Sequence, residues 1–183
     1  MRITDIIPLG AVALVAAVVL TVIPCVRQKR TFGQTIWLFT VRFAGLWYAL
    51  AAVTLLFKLV TIRFALNDVS GLGSMGVNLK PFATIIEYAN AHNTIQIAGN
   101  LGVLFPLPIL LGLNFPKMSV RKIFVISAIV TVLIEPLQLL VNVIIRSPYN
   151  SIDIDDLILN AIGVAVGLLS AKAIIAVRRV IEK

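Results

Sequence analysis

Long apolar stretches separated by short polar ones dominate the sequence and predict membrane-spanning helices. Ile6 to Val26 is 21 residues without a charge, enough for the roughly 20 residues with which a helix crosses a bilayer. A cleaved signal peptide fits this stretch poorly, because the basic residues follow it and no small-residue cleavage site is present. Similar stretches occur at about 36–57, 94–113, 123–145 and 155–177. We therefore predict an all-α, polytopic membrane bundle with five transmembrane helices.

The one long polar interval, residues 67–93, predicts a loop on the outer face of a single membrane domain, 1–183. Glycines and small polar residues fill its first part, which predicts a flexible lead-in. Pro81 suits the first position of a helix, and the apolar residues after it follow at i, i+3, i+4 and i+7. These apolar residues are Phe82, Ile85, Ile86 and Ala89. We predict a short amphipathic helix, about 81–91, in the outer interface.

Composition and charge support a membrane protein and assign its orientation. The 183 residues are 60% hydrophobic and 13% charged, unlike a soluble protein, and a lone Cys25 excludes a disulfide framework. Basic residues follow the first, third and fifth spans, whereas most acidic residues lie on the opposite side. Because basic loops stay in the cytoplasm, we predict an external N-terminus and a cytoplasmic C-terminus. The net charge of +8 is then topogenic, and no nucleic acid partner is expected. Arg42, inside the second span, is expected to snorkel towards its end.

Polar side chains within the spans are candidates for function, because burying them in lipid is costly. Glu135 falls near the middle of the fourth span, so we expect it to be either partnered or protonated. Gln138 lies on the same face, and Asn100 brings a polar group into the outer half of the third span. A polar patch that only locks neighbouring helices together is the structural alternative.

The fifth span begins with an acidic cluster on one helical face. Asp153, Asp156, Asn160, Gly163 and Gly167 recur at spacings of 3, 4, 3 and 4. The glycines would allow another helix to approach closely, which would turn the polar residues into the bundle. The aspartates also suit helix capping, and with Asp155 they form a possible divalent cation site.

Four ordered sequence blocks carry a resemblance to the VanZ-like family. They are residues 78–85 (NLKPFATI), 99–106 (GNLGVLFP), 135–138 (EPLQ) and 153–163 (DIDDLILNAIG), within a core of 78–167. The chain differs in having Pro108 where the family usually has glycine. Arg146, which takes the place of the family's arginine, lies seven residues ahead of Asp153 instead of just before it. The ligand-binding set that results is Asn100, Glu135, Gln138, Arg146, Asp153, Asp156 and Asn160.

The resemblance implies a multi-pass protein of the bacterial cytoplasmic membrane, linked to low-level resistance to teicoplanin-type glycopeptides. The leading hypothesis is a non-catalytic cell-envelope factor without a cofactor, whose site in the outer leaflet binds membrane lipid, a lipid-linked cell-wall precursor or a lipoglycopeptide. The alternative is a membrane enzyme acting on a lipid head group, with Glu135 and Asp156 catalytic and a divalent cation at Asp153, Asp155 and Asp156. No convincing nucleophile accompanies these carboxylates, and a transporter would need more polar residues in the inner halves of the spans. The sequence leaves the oligomeric state open.

Overall fold

A computed structural model describes residues 3–56, 77–145 and 152–181. The helices in these ranges are α1 (Ile3–Arg27), α2 (Phe32–Leu56), α3 (Ala83–Asn90), α4 (Thr94–Leu104), α5 (Pro106–Asn114), α6 (Val120–Ile145) and α7 (Ile154–Ile181). Two short strands, β1 (Val77–Asn78) and β2 (Ile152–Asp153), pair in parallel. The predicted lead-in of the outer loop, residues 67–76, and Arg146 lie outside the described residues.

Four helical segments are long and apolar enough to cross a membrane: α2, α4 together with α5, α6, and α7. These segments coincide with the predicted second to fifth spans, so the helical, multi-pass membrane architecture is confirmed. The first predicted span forms α1, whose apolar stretch within the described residues is shorter, Ala11–Val26. The total of five spans and the orientation of the termini stay predictions.

The surface of these helices is apolar, as a lipid environment requires. Val132 on α6 and Leu169 on α7 are 60% and 69% exposed, and many other valine and leucine side chains also point outwards. Apolar surface of this extent is not left in contact with water by a soluble monomer.

Two prolines divide the third span. Pro106 and Pro108 have no main-chain N–H, so the helical ladder is interrupted between α4 and α5. Phe105, at the junction, keeps helical dihedral angles (φ −53°, ψ −44°), so α5 continues the course of α4. The hydroxyl of Tyr48 on α2 donates to the carbonyl of Val103 at this junction, at 2.7 Å.

Helix α7 is the centre of the bundle and packs against α4, α5 and α6. The close approach expected at its glycines is present: a β-carbon at Gly163 would collide with the carbonyl oxygen of Leu101, and one at Gly167 with that of Phe105. The contact at Gly163 is with Leu101 and the contact at Gly167 is with Phe105, so residue numbers increase in the same direction on both helices. The segment α4–α5 and α7 therefore run parallel. A small apolar core joins α4, α6 and α7 through Leu104, Ile134 and Val164.

The N-terminal hairpin is closed by local hydrogen bonds and by one arginine. Thr31 and Gln34 exchange hydrogen bonds between side chain and main chain, a capping box that starts α2. Arg42 donates to the carbonyl of Leu20 on α1. This contact directs the guanidinium to the neighbouring helix, and snorkelling towards the end of the span stays a prediction.

The short outer helix exists, but it begins later than predicted. Pro81 lies in a turn, Phe82 has a left-handed backbone (φ 66°), and α3 starts at Ala83. None of its residues is fully buried, and two members of the predicted apolar face, Phe82 and Ile86, are more than half exposed. The start of α3 is set by the side chain of Asp155, about 70 residues later in the chain.

Candidate functional site

The carboxylate of Asp155 holds the outer helix in place. Its two oxygens accept main-chain N–H groups from Phe82 at 2.6 Å, Thr84 at 2.8 Å and Ile85 at 3.1 Å. Asp155 is only 1% exposed, so a negative charge is buried against the positive end of α3. Capping was expected of this residue at the start of its own helix. The structure instead uses it to cap a helix about 70 residues earlier in the chain.

Asp153 forms the second link between the two ends of the site. It accepts the Thr84 hydroxyl at 2.5 Å and the Asn78 amide at 3.2 Å, beside the β1–β2 pairing of Asn78 with Asp153. The Asp155 N–H also donates to it, at 2.9 Å. Asn78 and Thr84 were absent from the predicted site set, although the block at 78–85 was the signal that could have included them.

Asp156 connects α7 to α4 and to the outer helix. It accepts a hydrogen bond from the side-chain amide of Asn100, so two residues of the predicted set are in direct contact. Tyr88 on α3 is close by: burial, followed by the charges of Asp156, Asp153 and Glu87, raises the pKa of its hydroxyl. The phenol therefore stays protonated at neutral pH and remains a hydrogen-bond donor at the edge of the cluster.

Glu135 brings a carboxylate from α6 into the same region. It is 9% exposed and close enough to Asp156 and Asp153 for their charges to act on it. The main-chain N–H of Asp153 faces it, yet no described residue gives either of its oxygens a hydrogen bond of normal geometry. Gln138, one turn further along α6, is partly buried and engaged in an interaction of its own.

Asn160 supplies a further unsatisfied acceptor one turn beyond Asp156 on α7. The residue is 3% exposed, and its side-chain oxygen has no partner among the described residues. Buried polar atoms are normally hydrogen-bonded, and each one left without a partner costs about 1–3 kcal/mol, or more when it is charged. The three unsatisfied oxygens of Glu135 and Asn160 therefore mark a place where hydrogen-bond donors are missing.

The aspartates are used differently from a cation site. The oxygens of Asp155 and Asp153 accept the hydrogen bonds that attach α3 and β1. Across the described ranges, no group of three or more His, Cys, Asp or Glu side chains is arranged to hold a metal ion. The structure thus divides the predicted set: Asp153 attaches the outer segment, Asn100 and Asp156 join two helices, and Glu135 and Asn160 offer free acceptors. We call these last four residues, Asn100, Glu135, Asp156 and Asn160, the polar cluster.

Comparison with known proteins gives one match. A family model described as VanZ/LLP1 matches residues 43–176, which include every residue of the polar cluster. Neither the curated proteins nor the solved structures contain a match to the chain.

Proposed function

The chain belongs to the VanZ/LLP1 family, and we propose that it is a non-catalytic factor of the bacterial cell envelope that lowers susceptibility to teicoplanin-type glycopeptides. In this proposal the protein spans the cytoplasmic membrane, with its N-terminus outside. The polar cluster then lies in the outer half of the bilayer and binds the head group of a lipid, a lipid-linked cell-wall precursor or a lipoglycopeptide.

The observation that carries the proposal is the excess of acceptors over donors in the polar cluster. No described residue gives either oxygen of Glu135, or the side-chain oxygen of Asn160, a hydrogen bond of normal geometry, and all three oxygens are buried. A ligand that brings hydroxyl, amide or ammonium groups would satisfy them, and each such bond to a charged acceptor contributes about 1.5–3 kcal/mol. Head groups of lipid-linked sugars and peptides carry donors of this kind.

The outer helix supports a ligand that is partly lipid. Leu79, Phe82 and Ile86 are each more than half exposed, and they flank the segment that Asp153 and Asp155 attach to the cluster. Exposed apolar side chains beside a buried polar cluster match an amphipathic molecule, whose chain stays in the membrane while its head group reaches the acceptors.

The enzyme alternative has less support from the geometry. A divalent cation at Asp153, Asp155 and Asp156 would have to share carboxylate oxygens that already accept the hydrogen bonds attaching α3, β1 and α4. Glu135 remains available as an acid or base, but the described residues around it supply no nucleophile. A binding role at the polar cluster keeps all of these contacts and needs neither a nucleophile nor a cation.

The test measures protection in whole cells. Glu135→Ala and Asn160→Ala are expressed in a susceptible Gram-positive host, together with Ser127→Ala as a matched control. Ser127 is another fully buried polar residue of α6, and its hydroxyl also lacks a partner among the described residues. We expect the first two variants to lose protection and the control to keep it, with equal amounts of each protein in the membrane.

Wild-type protection in both cluster variants would overturn the assignment of the site. Turnover of a lipid by the purified protein, dependent on Mg²⁺ and lost in Asp156→Ala, would overturn the non-catalytic role in favour of the enzyme. Equal protection against teicoplanin and against a glycopeptide without an acyl chain would argue against recognition of the drug's lipid anchor.

A further inference from the structure

A cleft lies far from the polar cluster along the sequence, where α1 meets α2. This cleft of about 250 Å³ is lined by Val22, Cys25, Val26, Lys29, Arg30 and Thr35, and we call it the hairpin cleft. Its wall on α1 is apolar, with Val22 and Val26 about half and about three-quarters exposed. Its rim is formed by two basic side chains at the end of the helix.

We propose that the hairpin cleft binds an anionic phospholipid. In this arrangement Lys29 and Arg30 bind the phosphate, and the upper part of an acyl chain lies along Val22 and Val26. Basic residues follow this helix on the predicted cytoplasmic side, which is the face where anionic lipids concentrate in the bilayer. The site is independent of the polar cluster and of the function proposed for it.

The backbone holds the two basic residues at the mouth of the cleft. Arg30 N–H bonds to the carbonyl of Cys25 and Lys29 N–H to that of Val26, the paired hydrogen bonds of a Schellman motif. Lys29 is the residue of this motif that has a left-handed backbone, with φ 47°, and glycine is the usual residue at that position. A lysine that carries this backbone cost indicates that its side chain is needed there.

The guanidinium of Arg30 is oriented but not saturated. The side-chain oxygen of Gln28 accepts from its Nε at 2.9 Å and from one terminal nitrogen at 2.7 Å. These bonds use two of the five N–H groups of an arginine, and no acceptor among the described residues takes the other three. Gln28 therefore orients the guanidinium of Arg30 without neutralising its charge.

No carboxylate from the hairpin competes for these cations. The sequence contains no aspartate or glutamate between Asp5 and Asp68, and α1 packs mainly against α2. A phosphate with an attached apolar chain matches both the charge of the rim and the apolar wall.

The experiment uses the full-length protein in a zwitterionic detergent, in which membrane orientation plays no part. Binding of dioleoyl phosphatidylglycerol is measured by native mass spectrometry, with dioleoyl phosphatidylcholine as the neutral comparison. Lys29→Gln with Arg30→Gln removes the rim charges. Lys117→Gln with Arg121→Gln is the matched control, since it removes the same charge from two exposed positions, one between α5 and α6 and one in the first turn of α6.

We expect the rim variant to bind phosphatidylglycerol roughly 30-fold more weakly, about fivefold for each charge, while the control stays within about twofold of the wild type. Equal losses in both variants, or no loss in the rim variant, would overturn the site. Competition by inorganic phosphate at the same concentration as the lipid would show that the acyl chain is not recognised, which would also overturn it.

Lys29→Gly separates binding from folding. Glycine accepts the left-handed backbone at no cost, so this variant should unfold at the same temperature as the wild type or higher. We nevertheless expect phosphatidylglycerol to bind about fivefold more weakly, because one phosphate contact is lost. Unchanged lipid binding in Lys29→Gly would contradict the role of the lysine.

Discussion

Replacement of Asp155 by alanine tests the attachment of the outer helix most directly. The carboxylate accepts three main-chain N–H groups, at 2.6, 2.8 and 3.1 Å, from the first residues of α3 and its cap. Each N–H that loses a charged acceptor costs at least about 1 kcal/mol when it is partly buried, so the three together amount to about 3 kcal/mol. Most of this free energy should appear as local opening of α3.

The opening should be local because α3 has little other attachment. Helix α3 contains no fully buried residue. Among the described helices, it packs mainly against α4 and α7. The apolar core at Leu104, Ile134 and Val164 joins α4, α6 and α7 and contains no residue of α3. We therefore expect α3 to detach while the bundle stays folded.

Hydrogen exchange with mass spectrometry measures this opening. A change of about 3 kcal/mol corresponds to roughly 150-fold faster exchange of the amides of residues 82–90, with α5, α6 and the inner part of α7 unchanged. Glu87→Ala is the control, since Glu87 lies on the exposed side of the same helix. Unaltered exchange at 82–90 in Asp155→Ala, or an equal increase in every helix, would refute the reasoning.

Three further predictions address packing and titration. Gly163→Ala should destabilise the protein by about 1–3 kcal/mol in thermal unfolding, because the new methyl group meets a main-chain carbonyl of α4, whereas Gly99→Ala, where the space is open, should be neutral or stabilising. Tyr48→Phe should cost about 1 kcal/mol and lower the melting temperature by about 2–4 °C, through loss of its hydrogen bond to α4. Because burial and then the charge of Asp156 raise the pKa of Tyr88, its contribution to stability should be complete below pH 10 and be lost as the pH rises through the shifted value. Ultraviolet titration against Tyr88→Phe measures this pKa, and a value at or below that of a free tyrosine would contradict the placement of Tyr88.

Much of the architecture could be predicted because lipid leaves a helix few choices. Main-chain groups in a bilayer must be satisfied within the segment, so an uncharged stretch of sufficient length becomes a helix almost regardless of its neighbours. The second to fifth spans and the close packing at Gly163 followed from spacing and residue type alone. The start of α3 did not, because it depends on Asp155, a residue remote in sequence.

The candidate site shows the same division. Sequence spacing placed Asn100, Glu135 and Asp156 at comparable depth on three spans, and the structure brings these residues together. The sequence could not distinguish an aspartate that caps a distant helix from one that is free to bind, since both are acidic residues at the start of a span. Residues 78–85 donate hydrogen bonds to Asp153 and Asp155. Only the folded structure shows that this segment lies beside the two aspartates.

The sequence by itself thus determined the class of protein, the positions of four spans and the family, because each depends on local hydrophobicity or on ordered blocks of residues. The tertiary structure alone decided which carboxylates hold the outer helix and which buried acceptors lack donors. The physical reason is that hydrogen-bond satisfaction is a property of neighbours in space. Two aspartates separated by one residue, Asp153 and Asp155, acquire different partners, whereas Glu135, on another helix, acquires none of normal geometry among the described residues.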